Sequence, residues 1–266
     1  MKFEAQMNSI PNEKFLKEEI QGISPLEGYF SKIPSTKEIL NSWDNPKELP
    51  SHDWVSKERF SKIIDDKFEF LLTTREDKKN KDIFEVSFEL LSEDESINEL
   101  NFYKNQEKVN GLDTTVWDLN HRNVRSQAEG ISGSMFLNYT EEFLRVLMQN
   151  KRIEMHPLFS KVSQPKVLSW MQKNGFLLDS LSELRLKEIK ESDQYRELPL
   201  HIVNDDHTKD PFWINKNLLE DKDLMGAYGL ELTDSDKSHD QILVARRPIN
   251  TDSLPHTPLI SIIKEL

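Results

Sequence analysis

No cysteine occurs among the 266 residues. Disulfides, zinc–thiolate centres and thiol nucleophiles are therefore excluded. Positive charge is also in short supply: 35 Lys and Arg stand against 47 Asp and Glu, a formal net charge of -12. Such a chain is a poor non-specific partner for nucleic acid, which needs surplus Lys and Arg, and it is repelled by anionic membranes. No uninterrupted apolar run approaches the roughly 20 residues of a membrane span. Glu4, Asn8, Asn12 and Glu13 interrupt the start, which lacks the apolar core of a signal peptide. The phosphate loop Gly-x-x-x-x-Gly-Lys is missing, and Gly130-Ile131-Ser132-Gly133 lacks the spacing of a Gly-x-Ser-x-Gly nucleophile elbow. These absences predict a soluble cytoplasmic protein with neither nucleic-acid nor membrane partners. Its acidity suits a cationic partner such as an amine.

Hydrophobic residues make up 36% and charged residues 31%, enough for one large domain or two small ones. Residues 1–60 are punctuated by Pro11, Pro25, Pro34, Pro46 and Pro50. Short helices fit at Asn12–Gln21 and Ser35–Ser42, and Trp43 and Trp54 are expected to pack on the body. Phe68–Thr74 and Ile83–Leu91 flank a charged turn, and Phe84, Val86, Phe88 and Leu90 alternate with polar residues. That period of two predicts an antiparallel hairpin. Ser92-Glu93-Asp94-Glu95 resembles a capping box opening a helix through Ile97, Leu100 and Tyr103. Asn110-Gly111 marks a turn before a third strand at Thr114–Leu119. Further elements are a short strand at Arg152–Met155, a helix from Ser163 with Pro165 in its first turn, and a helix at Leu181–Glu191. Strands are expected at Leu198–Val203 and Gln241–Arg246, with a helix at Lys216–Met225 between them.

The stretch with most chemical content is Gln127-Ala128-Glu129-Gly130-Ile131-Ser132-Gly133-Ser134. It opens a strongly periodic helix, Ile131–Asn150, carrying Met135, Tyr139, Phe143 and Leu147 at steps of four. A Gly/Ser loop running into a helix leaves backbone N–H groups aimed outward, and the dipole adds partial positive charge, so the mouth suits a phosphate. An ordinary helix cap is the competing reading.

The order of elements, together with two short patches, resembles the GNAT acetyltransferase superfamily. The family's pyrophosphate loop reads Q/R-x-x-G-x-G/A. Gln127 to Ser132 fits it, with Ser132 in place of the last small residue. Pro165 to Phe176, ending in Asn174-Gly175-Phe176, is similar to the family's second helix and its Gly-Phe pair. The resemblance implies a mixed, mostly antiparallel central sheet of about six strands with helices on both faces, in an α/β (α+β) fold. It also implies transfer of an acetyl group from acetyl-CoA to a primary amine, carried by a small molecule or a peptide. Gln127, Gly130, Ser132, Gly133 and Ser134 would hold the pyrophosphate, and the pantetheine arm would lie between two splayed parallel strands. Met171 stands where the family has its tyrosine acid, and methionine cannot donate a proton. As general base, His156, which follows the short strand and would lie near the acyl group, is favoured over Asp118 and His121.

The implied organisation is an N-terminal helical extension at 1–60 packed on the body, a GNAT-like domain at 61–250 and a C-terminal tail at 251–266. His201, Asp205, Asp206 and His207 match no common metal spacing and read as a solvated loop, so no metal is expected. Two other functions compete with the enzyme: a non-enzymatic acidic interaction protein on an α/β scaffold, and an acidic inhibitor or immunity partner of a basic protein.

Overall fold

Alternating apolar and polar residues between Val55 and Asn123 lay down five long strands joined by tight turns. The structure is a computed structural model, and it describes residues 25–44, 47–51, 53–64, 66–93, 95–123, 132–203, 210–235, 239–246 and 257–266. After two short helices, α1 (Pro25–Phe30) and α2 (Thr36–Asp44), come β1 (Lys47–Leu49), β2 (Val55–Ile64), β3 (Phe68–Asp77), β4 (Asp82–Ser92), β5 (Glu95–Val109) and β6 (Leu112–Asn123). These six strands form an antiparallel meander. The turns hold residues with positive φ: Asp66, Lys81, Glu93, and Asn110 followed by Gly111 at φ 81°. Asn and Gly tolerate that left-handed backbone at little cost, and the Asn-Gly pair matches the right-handed twist of the hairpin. Asn110 also accepts the Ser180 N–H at 2.8 Å. Asn110→Ala should therefore cost about 1–2 kcal/mol in urea denaturation, with Asn110→Gly closer to the parent.

The sheet continues beyond the meander. The chain enters α3 (Gly133–Gln149), β7 (Leu158–Val162), α4 (Pro165–Lys173), β8 (Leu177–Leu178) and α5 (Ser180–Glu191). A second sheet follows, built from β9 (Tyr195–Ile202), β10 (Pro211–Asn215), β11 (Leu230–Asp234) and β12 (Gln241–Ala245), with α6 (Lys216–Glu220) and α7 (Lys222–Ala227) inserted. Finally β13 (Ile260–Lys264) returns to the first sheet and enters between β7 and β8. The larger sheet has nine strands in the order β1-β2-β3-β4-β5-β6-β7-β13-β8, and the smaller has four in the order β10-β9-β12-β11.

α3 is the organising core element. Phe136, Leu137, Leu144 and Leu147 are fully buried, and their neighbours Tyr139, Phe143, Val146 and Met148 are nearly so. Its aromatic rings meet those of the strands: Phe136 lies edge-on to Phe70, and Phe143 edge-on to Phe88 at 5.3 Å. α1 covers the same region through Phe30, which meets Phe70 and Phe136, and the Tyr139 hydroxyl donates to that of Tyr29 at 3.0 Å. Burial of each large apolar side chain contributes about 1.5–3 kcal/mol. The other face of β2–β5 is polar. Arg75 pairs with Glu85 at 3.1 Å, and Arg59 donates to Thr73 at 3.3 Å. Burial lifts the Glu85 carboxyl above its ordinary range against the opposing pull of Arg75 and Lys57, and burial followed by the charge of Glu85 raises the Tyr103 hydroxyl.

These observations correct the expected fold. The chain is strand-dominated, with a nine-stranded sheet and a separate four-stranded one, in place of six strands flanked by helices on both faces. One reason is β5, which was expected to be a helix. Asn98, Leu100 and Phe102 are fully buried at a period of two, and Glu93 at φ 52° closes a hairpin where a capping box was expected. A second reason is β13: the segment expected as a tail supplies a strand with Ile260 and Ile262 fully buried. The expected strand at Arg152–Met155 is irregular, and pairing starts at Leu158. Trp54 stacks on Phe84 at 6.3 Å yet stays 59% exposed. The expected helix Asn12–Gln21 and the side chain of Trp43 lie outside what is described.

Candidate functional site at the β6–β7 fork

β6 and β7 are parallel neighbours joined by α3, and their pairing is short. Only Trp117↔Leu158 and Asp118↔Phe159 are in register. The Trp117 N–H donates to the Pro157 carbonyl at 2.9 Å, and its indole N–H to the Glu154 carbonyl at 3.0 Å. One residue further, the Ser160 hydroxyl donates to the Leu119 carbonyl at 3.1 Å, a side chain standing where a backbone donor would continue the ladder. Beyond that point each strand stays paired on its outer side: β6 with β5 as far as Asn98↔Asn123, β7 with β13 as far as Val162↔Ile260. Between them no further rung occurs among the described residues. The result is a gap about 10 Å long on the β7 side, three residues at ~3.3 Å each, and just beyond it the Trp213 N–H of β10 donates to the Ser163 carbonyl at 3.2 Å.

The mouth of α3 lies toward the open end of the fork. Phe136 packs on Phe70, which stands in one row with Leu90, Asn98 and Asn123, the last residue of β6. Ser132 is the N-cap, its hydroxyl accepting the Met135 N–H at 3.1 Å. The Ser134 hydroxyl accepts two donors from α4: the Trp170 indole at 2.9 Å and the Asn174 amide at 3.1 Å. The expected phosphate-binding side chains are thus engaged in capping and in helix packing. What the mouth presents outward is backbone, the first-turn amides of Gly133 and Ser134, which have no partner within the helix. Gln127 and Gly130, the other expected binders, lie outside the described residues, as do Asp205, Asp206 and His207. No group of three or more His, Cys, Asp or Glu suited to a metal occurs among the described residues.

His156 is not brought to this mouth. It accompanies Lys104 and Trp117 at the closed end of the fork, six residues of β5 and roughly 20 Å from the Asn98 row. There it meets Glu154 at 2.9 Å, and Glu154 meets Lys104 at 2.6 Å. The hydrogen bonds of Lys104 and His156 hold the Glu154 carboxyl below its usual range. Burial alone would lower Lys104, but its bonds to Glu154 and Asp82 hold it above the ordinary amine value. Asp118 sits at the last rung and accepts from the Asn105 amide at 3.3 Å. Met171 is buried in the core at 2% exposure, so the position of the family's tyrosine offers no donor. Sequence reasoning found the helix mouth but missed Ser160. Its signal is a lone polar residue in Leu158-Phe159-Ser160, where all three side chains are buried.

Elsewhere, a shallow surface hollow of about 590 Å³ is lined by Asn217, Glu220, Asp221, Lys222 and Asp223 on α6 and α7, part of the smaller sheet's unit. It has no enclosed wall and carries no chemistry of its own. No described helix is long and apolar enough to cross a membrane. Comparisons with protein-family models, with curated proteins and with solved structures find no match.

Proposed function

We propose that the chain is an N-acyltransferase that takes an acetyl group from acetyl-CoA and passes it to a primary amine. The fork carries this reading. Two parallel strands separate after two rungs, and a helix mouth with outward amides lies toward the open end. A coenzyme with a doubly charged pyrophosphate and an extended amide-bearing arm fits both parts: the anion at Gly133 and Ser134, the arm between the strand edges. The acidic surface suits an amine acceptor.

Thermal denaturation with acetyl-CoA tests this. A micromolar site at millimolar ligand adds about 4 kcal/mol by linkage and raises the melting temperature by several degrees. Gly133→Leu, which puts a side chain on the first helical residue, should remove most of that shift while leaving the ligand-free melt close to the parent. An unchanged melting temperature in the parent protein would reject the reading.

The burial of Met171 favours a second reading, a non-enzymatic acidic interaction protein. Met171 stands where the proton donor is expected and cannot give one up, and His156, at the closed end of the fork, is tied to Glu154 at 2.9 Å. On this reading acetyl-CoA has no effect on the melt.

A further inference from the structure

We infer that the polar face of the β2–β6 meander is a docking surface for a second copy of this chain. The helices cover the other face, where Phe30, Phe136 and Phe143 meet Phe70 and Phe88. On the polar face the charges are sorted by position. One corner holds cations: Lys47 stands directly opposite Arg59, and Lys57 directly opposite Arg75, with Glu85 next in that row. The diagonal corner holds carboxylates: Glu69 on β3, and Glu89 directly opposite Glu99, before the row ends at Arg122. Like charges placed opposite one another destabilise a sheet, and here both signs do so on one face. Neither Lys57 nor Glu89 has a side-chain hydrogen bond or ion pair among the described residues. Burial, and after it the charges of Arg75 and Arg59, hold the Lys57 ammonium below its ordinary pKa. An apposed corner of opposite sign relieves each of these costs.

The Lys57–Arg75 pair lies between β2 and β3, and the Glu89–Glu99 pair between β4 and β5. They are roughly 16 Å apart, two strand spacings of ~4.8 Å by four residues of ~3.3 Å. Midway stands the Thr73–Ser87 pair, whose small side chains let a second sheet approach. A two-fold axis lying in the interface across that midpoint sets each cationic corner over the carboxylates of the other copy. Both contacts form at once, which is the closed, self-complementary arrangement of a two-fold dimer. Five strands by about ten residues give a face of ~24 by ~33 Å, or roughly 800 Å², the area that one partner contributes to a standard interface. Each chain carries a net charge of -12, but at physiological salt that repulsion is screened beyond ~8 Å. Side chains in contact across the interface are closer than this, so the local complementarity decides.

Sedimentation velocity over a concentration series tests this on the full chain, on Lys57→Glu, on Glu89→Lys and on an equal mixture of the two variants. Within one chain each change turns a like-charge pair into an opposite-charge one: Lys57→Glu sets a carboxylate opposite Arg75, and Glu89→Lys an ammonium opposite Glu99. Each variant should therefore melt no lower than the parent by circular dichroism. The parent is expected to sediment at twice 31.2 kDa. Either variant alone meets like charge at both contacts and should dimerise at least about tenfold more weakly. The mixture meets opposite charge at both contacts and should recover the parent's affinity. A parent that stays monomeric overturns the proposal. So does a variant that dimerises like the parent, or a mixture that fails to recover. Should either variant not fold, carbodiimide coupling of an equal mixture of ¹⁴N- and ¹⁵N-labelled parent decides. Lys57–Glu89 links between light and heavy chains support the dimer, and their absence overturns it.

Discussion

Lys264→Met is expected to destabilise the protein by about 3–5 kcal/mol at neutral pH. Lys264, near the end of β13, is hydrogen-bonded to Glu141 on α3, whose side chain is 5% exposed. The Lys264 ammonium also lies 5.6 Å from the centre of the Phe176 ring, and its stem rests 3.4 Å from where a Cβ on Gly175 would sit. One Glu141 oxygen, Oε1, has no partner in the interior, so this carboxylate is dependent on the other. Burial raises the Glu141 pKa above the ordinary 4.5, and the Lys264 hydrogen bond only partly opposes it. A carboxyl raised in the folded state favours folding in its protonated form. That contribution is fully present below about 4.5 and is lost as pH rises through the raised value. Removing Lys264 raises the value further. The deficit of Lys264→Met should therefore be small in acid and complete at neutral pH, as read by urea midpoints across the range. Glu141→Leu with Lys264→Met should recover most of the loss, because a packed apolar pair replaces a buried ion pair at little cost. A deficit independent of pH would show that Lys264 acts through packing alone.

Stopping the chain at residue 256 is expected to have the larger effect still. β13 makes five register pairs with β7, from Ile260↔Val162 to Lys264↔Leu158, against two between β7 and β6. Its Ile260 and Ile262 are fully buried, and losing both removes about 3–6 kcal/mol before any backbone pairing is counted. That is a large part of the 5–15 kcal/mol typical of a folded domain. The shortened chain should lose its cooperative melt by circular dichroism and collect in the insoluble fraction. A soluble product with an unchanged midpoint would contradict the placement of β13.

These two cases mark the boundary between what the sequence discloses and what it hides. Elements coded locally were legible: the β3–β4 hairpin by alternation, α3 and α4 by spacing and capping residues, the Asn110-Gly111 turn by its backbone preference, and Gly175 at φ 87° as a helix stop. β5 was hidden because a fully buried Asn98 breaks the apolar alternation on the inner face, while Ile97, Leu100 and Tyr103 also satisfy a helical spacing. β13 was hidden for another reason. Its partner β7 lies roughly 100 residues earlier, and the β-branched Ile260, Ile262 and Ile263 do not by themselves say which strand they join. The fork inherits that difficulty, since it exists only because β7 is held on its far side by β13. Within the site, a helix cap somewhere in the Gly/Ser stretch was legible, but not that Ser132, expected to hold the pyrophosphate, is that cap. The roles of Ser134 and Ser160 depend on Trp170, Asn174 and Leu119, which the fold alone brings near.

The most direct test of the account is amide chemical-shift mapping of the isotope-labelled chain during titration with acetyl-CoA. Saturable shifts are predicted at Gly133 and Ser134 in the mouth of α3 and at Leu119, Asn120 and Ser160 along the fork, with β1, β2 and the smaller sheet unchanged. A spectrum that does not move at millimolar acetyl-CoA, or shifts confined to the α6–α7 hollow, would contradict the fork as an acyl-coenzyme site.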